Sequence, residues 1–284
     1  MNKRRDFILI TLIYAISISI GLISGDFFDV NLLSKILIID IITTLVIYLC
    51  SLIVKNASLY DPYWSVIPPV LIMYAMITQK SYSLLNWVLW ISIMVWAIRL
   101  TYNWAVNWTS FSHQDWRYDL IRSKTKKLYP LANLFGIQLM PTFVVYLQIY
   151  VAVTTISENK PLNIGSILSG LIIISATLIQ FISDKQMREF KASNSNKRVI
   201  DVGLWKYSRH PNYFGEVMVW WGVYGFYLSV SQKLDYLIMA PIVMTLLFLV
   251  ISIPMMETKI LKTRPEYRTY MKETSKFIPW VKKN

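Results

Sequence analysis

Eight apolar runs alternate with polar connections along the chain: roughly Phe7–Ser24, Leu32–Val54, Trp64–Thr78, Leu84–Asn107, Leu131–Ile156, Leu162–Ile182, Tyr213–Val230 and Leu237–Met255. All but the short third are near the ~20 residues that a helix needs to cross ~30 Å of hydrocarbon. The pattern predicts an all-α fold, a polytopic membrane bundle of about eight transmembrane helices in one membrane domain. The third run follows Asp61-Pro62 and contains Pro68-Pro69. It is expected to be broken or partly re-entrant, because proline removes a backbone donor and irregular backbone at membrane depth must be buried in protein.

Charge sorts the connections into two sets. Lys3, Arg4 and Arg5, then Lys55, five basic residues from Arg117 to Lys127, seven from Lys185 to Arg209 and eight from Lys259 to Lys283 fall on one side of an eight-crossing chain. The opposite connections hold Lys35, Lys80, Lys160 and Lys233. The positive-inside rule then puts both termini in the cytoplasm, with a bacterial inner membrane as the expected location. The opening basic residues and long apolar core resemble a signal peptide without a convincing small-residue cleavage pattern, so the segment is expected to stay as the first helix.

Composition agrees: of 284 residues 55% are hydrophobic, and mean hydropathy is +0.44. A net charge of +13 raises nucleic acid as a partner, but the basic residues sit in short loops between apolar runs, so membrane lipid is the expected contact. One cysteine, Cys50, excludes an intrachain disulfide and a thiol cluster for zinc, and His113 and His210 are the only histidines. No metal site is expected.

Chemistry-bearing side chains concentrate in Gly203–Glu216, GLWKYSRHPNYFGE. A helix beginning near Pro211 would present free N–H groups and a positive dipole end beside Arg209 and His210, which suits a phosphate or carboxylate. Asn212 and Glu216, four apart, share one helix face. A helix cap with a snorkelling Arg is the structural alternative. Polar groups in or beside apolar runs mark further candidates: Asp40, Asp61, Arg99, Asn103, Asp184, Glu216 and Glu257, with an Arg99–carboxylate pair as structural glue the competing explanation. The nine glycines form neither GxGxxG after a strand nor a Walker motif, so any nucleotide needs a membrane-embedded pocket. Arg188, Lys191 and Arg209 make a cationic rim suited to phosphate, while Asp184 and Glu216 can accept from ribose hydroxyls or a carboxamide; a solvated positive-inside loop is the competing explanation. Trp96 and Trp220, in mid-helix, are expected to line a flat apolar slot.

RHPNYFGE followed by a Trp-rich helix resembles the cofactor loop of the membrane superfamily that holds steroid 5-alpha-reductases, sterol C14 reductases and isoprenylcysteine carboxyl methyltransferases. LYDPYWSVIPP (59–69), IRLTYNW (98–104), DWRY (115–118) and SIPMMETKIL through YRTYMKETSKFIPW (252–280) resemble its uncharacterised DUF1295 branch. The resemblance implies an N-terminal helix pair over 1–57, a reductase-like core over 58–284, and a cofactor region over 180–284. It implies NADPH held by Asp184, Arg188, Lys191, Arg209, His210, Asn212, Tyr213 and Glu216, with Lys191 where the steroid enzymes usually carry Arg. For the reacting end it implies Asp61 as the acid, in place of the usual Glu, with Tyr102 as the hydroxyl and Arg99 beside it. The implied reaction is hydride transfer from NADPH to an enone of a lipophilic, steroid-like or polyprenoid substrate. The alternative is a methyltransferase using S-adenosylmethionine, because isoprenylcysteine methyltransferases share an RHPxY loop and a glutamate-then-Tyr region, here Glu257 to Tyr270.

Overall fold

The computed structural model describes residues 3–193 and 199–282. Lys197, Arg198 and Lys283, counted above among the basic loops, lie outside the described residues. The rest is helix and connection, with no strand among the described residues. Among the described residues, six helical stretches are long and apolar enough to cross a membrane: Lys3–Gly25, Leu32–Ile53, Leu84–Asn107, the compound Trp116–Ser157, Ile164–Ala192 and Tyr236–Thr263. The two other expected crossings are also helices, Tyr63–Gln79 with 17 residues and Pro211–Ser231 with 21.

The distribution of surface and core is that of a chain folded for lipid. Helix α1 (Lys3–Gly25) exposes Ile8, Leu12, Ile16 and Ile23 but buries Asp6 and Ser17. The long helix Ile164–Ala192 exposes Ile164, Leu168, Leu171 and Leu178 and buries Ser166, Ser169, Thr177 and Gln180. Water would favour the reverse arrangement, whereas hydrocarbon solvates the aliphatic faces and drives polar groups to find partners inside.

The chain divides into two compact units. The first holds Met1–Ser81 and Leu100–Ser157, the second Tyr82–Arg99 and Glu158–Asn284. In the first, α1 packs on α2 (Leu32–Ile53), and α3 (Tyr63–Gln79) packs on the later helix Met140–Ser157. Its buried polar groups bond to one another: Tyr63 donates to Asp40 at 2.6 Å, and Thr142 bridges Thr44 at 2.9 Å and Tyr60 at 2.7 Å. Helix α3 corrects one expectation, since it runs unbroken through Pro68 and Pro69. Both prolines are buried, so packing can offset the lost backbone bonds. Helix α4 (Leu84–Asn107) gives its early part to the second unit and its end to the first. There follow α5 (Trp116–Thr125), α6 (Tyr129–Ala132), a π-helical turn Asn133–Leu139 and α7 (Met140–Ser157).

The second unit is organised by α8 (Ile164–Ala192) and α9 (Pro211–Ser231), which pack along one another. A capping box between Asn163 and Ser166 starts α8. Close approach depends on Gly215, where an added Cβ would sit 2.6 Å from Gln180 Cγ and 2.7 Å from the Ala176 carbonyl oxygen. Helices α10 (Met239–Leu246), α11 (Ile253–Thr263) and α12 (Tyr267–Glu273) complete the unit, with a π-helical turn, Leu247–Ser252, between the first two.

Candidate functional site at the start of helix α9

Helix α9 begins at Pro211, whose fixed φ and missing N–H fit a first helical position. The segment before it is pinned from two sides. Gly203 takes φ +59°, close against the Gln186 side chain, and the Leu204 N–H donates to Gln186 Oε1 at 3.0 Å. From the other side, the C-terminal tail pairs with it: Arg209 N–H to the Ser275 carbonyl at 2.9 Å, Trp280 N–H to the Tyr207 carbonyl at 2.9 Å, and Ser208 Oγ to the Phe277 carbonyl at 2.7 Å.

Two polar networks meet this helix start. In the first, Arg99 forms an ion pair with Asp184 and donates to Gln180 Oε1. Asn212 Nδ2 donates to the other oxygen of Asp184 at 3.4 Å. Gln180 passes the chain on, donating to Glu216 Oε2 at 3.0 Å, and the indoles of Trp96 and Trp220 donate to the same carboxylate at 3.0 and 3.3 Å. Arg99, Asp184, Asn212 and Glu216 are thereby joined through Gln180, and helix spacing supports two of the links: Gln180 lies four residues before Asp184 on α8, and Asn212 four before Glu216 on α9. Trp96 and Trp220 are fully buried against each other, ring centroids 4.8 Å apart, with both indole N–H groups taken by Glu216.

Arg188 and Lys191 continue the face of α8 beyond Asp184, half-buried and exposed respectively, and near enough to act on its charge. Arg209 turns elsewhere. Its guanidinium pairs with Glu257 at 3.1 Å and donates to the Met271 carbonyl at 3.1 Å. His210 Nε2 lies 3.1 Å from the same Glu257 oxygen, and the Tyr267 hydroxyl donates to it at 3.3 Å. This is the second network, which sequence spacing did not disclose because Glu257 lies 47 residues from His210. Burial pulls the His210 imidazole below its usual range, with the nearby charges of Arg209 and Lys276 acting the same way and Glu257 opposing. The ring stacks on Tyr213, centroids 5.4 Å apart and planes within 6°, and Tyr213 in turn meets Phe248.

The remaining candidates belong to the first unit. Asp61 ends a short 3-10 turn, Ala57–Tyr60, and its carboxylate accepts from the Tyr118 hydroxyl of α5. Burial pushes the carboxyl up to about 6, opposed by Arg117 and by the Tyr118 bond. Tyr102, expected to work beside Asp61, is 51% exposed on α4. Tyr118 stands within the DWRY stretch, but the 57 residues separating it from Asp61 hid the pairing.

Comparison with known proteins places this architecture. The chain is 22% identical over 253 residues to an uncharacterized protein of Schizosaccharomyces pombe, C594.04c, covering 79% of this chain and 73% of the yeast protein. No solved structure is significantly similar to it. The model of the family described as "Protein of unknown function (DUF1295)" matches residues 47–274, which take in the Asp61 turn, the Arg99–Asp184 pair and both networks at α9. The chain belongs to the DUF1295 family.

Proposed function

We propose that this protein is an integral-membrane reductase that uses NADPH to reduce an activated carbon–carbon double bond in a lipophilic molecule. The observation that supports it is the Asn212–Asp184 hydrogen bond. Two stretches singled out for a dinucleotide, the end of α8 and the start of α9, meet there side chain to side chain.

The donor set suits an anionic dinucleotide. Arg188 and Lys191 supply positive charge at the cytoplasmic end of α8, and Asp184 and Asn212 supply an acceptor and a donor for hydroxyl groups. Arg99 Nε is buried without a partner, which leaves one donor in the cluster for a bound group. In this reading Arg188 and Lys191 hold phosphate, and Arg99 fixes the Asp184 carboxylate. Glu216, already accepting from three side chains, braces the wall behind them. NADPH would supply the hydride, and Asp61, with a carboxyl poised near neutrality, the proton. The family's grouping with steroid 5-alpha-reductase-like proteins supports the same class of reaction. Single-turnover oxidation of NADPH against a panel of lipophilic enones tests it: Asp61→Asn should slow turnover while sparing NADPH affinity, and Arg188→Ala should do the reverse.

Methyl transfer is the second reading, favoured by the Glu257 network. Arg209 and His210 of the RHPxY loop and Tyr267 of the C-terminal region converge on Glu257, and these are the stretches shared with isoprenylcysteine methyltransferases. An S-adenosylmethionine site has no use for the cations at Arg188 and Lys191. Transfer of a labelled methyl group to a lipophilic acceptor would replace the reductase reading.

A further inference from the structure

The turn that carries Asp61 is clasped from outside by the segment 111–118. Asn56 Nδ2 donates to the Phe111 and His113 carbonyls at 2.8 and 3.0 Å, the Ala57 N–H to Gln114 Oε1 at 2.8 Å, and the Asp115 N–H to Ser58 Oγ at 2.9 Å. Asp115 then caps α5 through the Arg117 N–H at 2.8 Å and pairs with the Arg117 guanidinium at 2.9 Å. One turn along, the Tyr118 hydroxyl reaches the Asp61 carboxylate. A structural clasp needs only these side chain–backbone bonds. Placing a phenol on the one carboxylate of the turn does something more: it fixes that carboxylate's rotamer and occupies one oxygen.

We propose that Tyr118 is the positioning residue for Asp61, holding one carboxylate oxygen so that the other faces the substrate and setting the pH at which the group gives up its proton. The proposal rests on the reading of Asp61 as the acid of the reaction. It assigns to Tyr118 the hydroxyl partnership that sequence resemblance assigned to Tyr102. The groups facing Asp61 are Tyr118, Arg117 and Asp115 from the clasp, Ser58 and Tyr60 from its own turn, and Tyr14 from α1. Tyr118, Arg117 and Ser58 favour the carboxylate, whereas burial and Asp115 favour the acid.

The test is an infrared pH titration of the protonated-carboxyl band of the full-length protein in lipid nanodiscs, with Asp61→Asn identifying the band. Its midpoint should lie near 6 in the parent protein. Tyr118→Phe should move it upward by roughly one pH unit, the worth of one hydrogen bond to a charged group, and Tyr102→Phe should leave it in place. An unmoved midpoint in Tyr118→Phe, or a shift produced by Tyr102→Phe instead, overturns the proposal. Should Tyr118→Phe fail to fold, Ser58→Ala is read in its place: an upward shift supports the hydrogen-bonded cradle, and no shift overturns it. Neither cofactor nor substrate enters the titration, so a protein that fails to bind NADPH defeats the reductase reading while leaving this result intact. Once an acceptor is found, Tyr118→Phe should displace the pH profile of kcat and leave KM for NADPH unchanged.

Discussion

Trp96 donates its indole N–H to Oε2 of Glu216 at 3.0 Å, joining residues 120 positions apart. With Trp220 and Gln180 on the same carboxylate, Glu216 is a buried acceptor ringed by donors. Glu216→Gln keeps the shape but turns one acceptor into a donor that faces other donors. It should lower stability by about 1–3 kcal/mol, more than Trp96→Phe, which removes one donor and leaves two. Melting temperatures of both variants and of the double variant measure the coupling, expected at about 0.5–3 kcal/mol.

His210 gives the second network a pH signature. Its folded-state pKa lies below the ordinary 6.5, so the unfolded chain binds the proton more readily. The stabilisation this provides is present above pH 6.5 and is lost as pH falls through the folded value. Melting temperature should therefore drop on acidification from pH 7, and His210→Gln should flatten that drop. An equal slope in the variant would place the sensitivity elsewhere.

Asp61 works with the opposite sign. Its carboxyl is raised from 3.8 to about 6, so its contribution to stability is complete below pH 3.8 and lost as pH rises through 6. At pH 7.5 the folded protein carries the cost of a partly buried charge. Asp61→Asn should then melt higher, by the equivalent of about 1 kcal/mol, with the gain shrinking as pH falls toward 4. Thermal scans of both proteins at pH 7.5 and 4.5 check that the gain shrinks.

Local signals carried much of this fold. Apolar run length marked the helices, and Pro211 marked the start of α9 within two residues of the apolar run, because helix starts and lipid exposure are written in adjacent residues. The shared face of Asn212 and Glu216 is legible for the same reason. What the sequence hid is tertiary. Local spacing sets Arg209 beside a helix end as part of a cationic rim, but Glu257 reaches it from another helix. Mid-helix position suggests that Trp96 and Trp220 line an apolar slot, yet their indole N–H groups satisfy a carboxylate. Pro68-Pro69 alone points to a break, whereas α3 is continuous through two prolines that are buried.

The charge pattern still makes a topological forecast. In a Cys50→Ser background, single cysteines at Ser123 and at Lys160, both exposed, should label from opposite sides of the membrane, Ser123 from the cytoplasm. Labelling of both from one side would contradict the eight-crossing arrangement.

The central claim is that the end of α8 and the start of α9 hold a phosphate-bearing dinucleotide, and ligand-induced stabilisation of the purified protein tests it most directly. NADPH at about 100 times its dissociation constant should stabilise the native state by roughly 2.7 kcal/mol, with NADH weaker and S-adenosylmethionine without effect. Arg188→Ala should lose that shift at the same concentration, and Asp61→Asn should keep it. A shift with S-adenosylmethionine and none with NADPH would contradict the account.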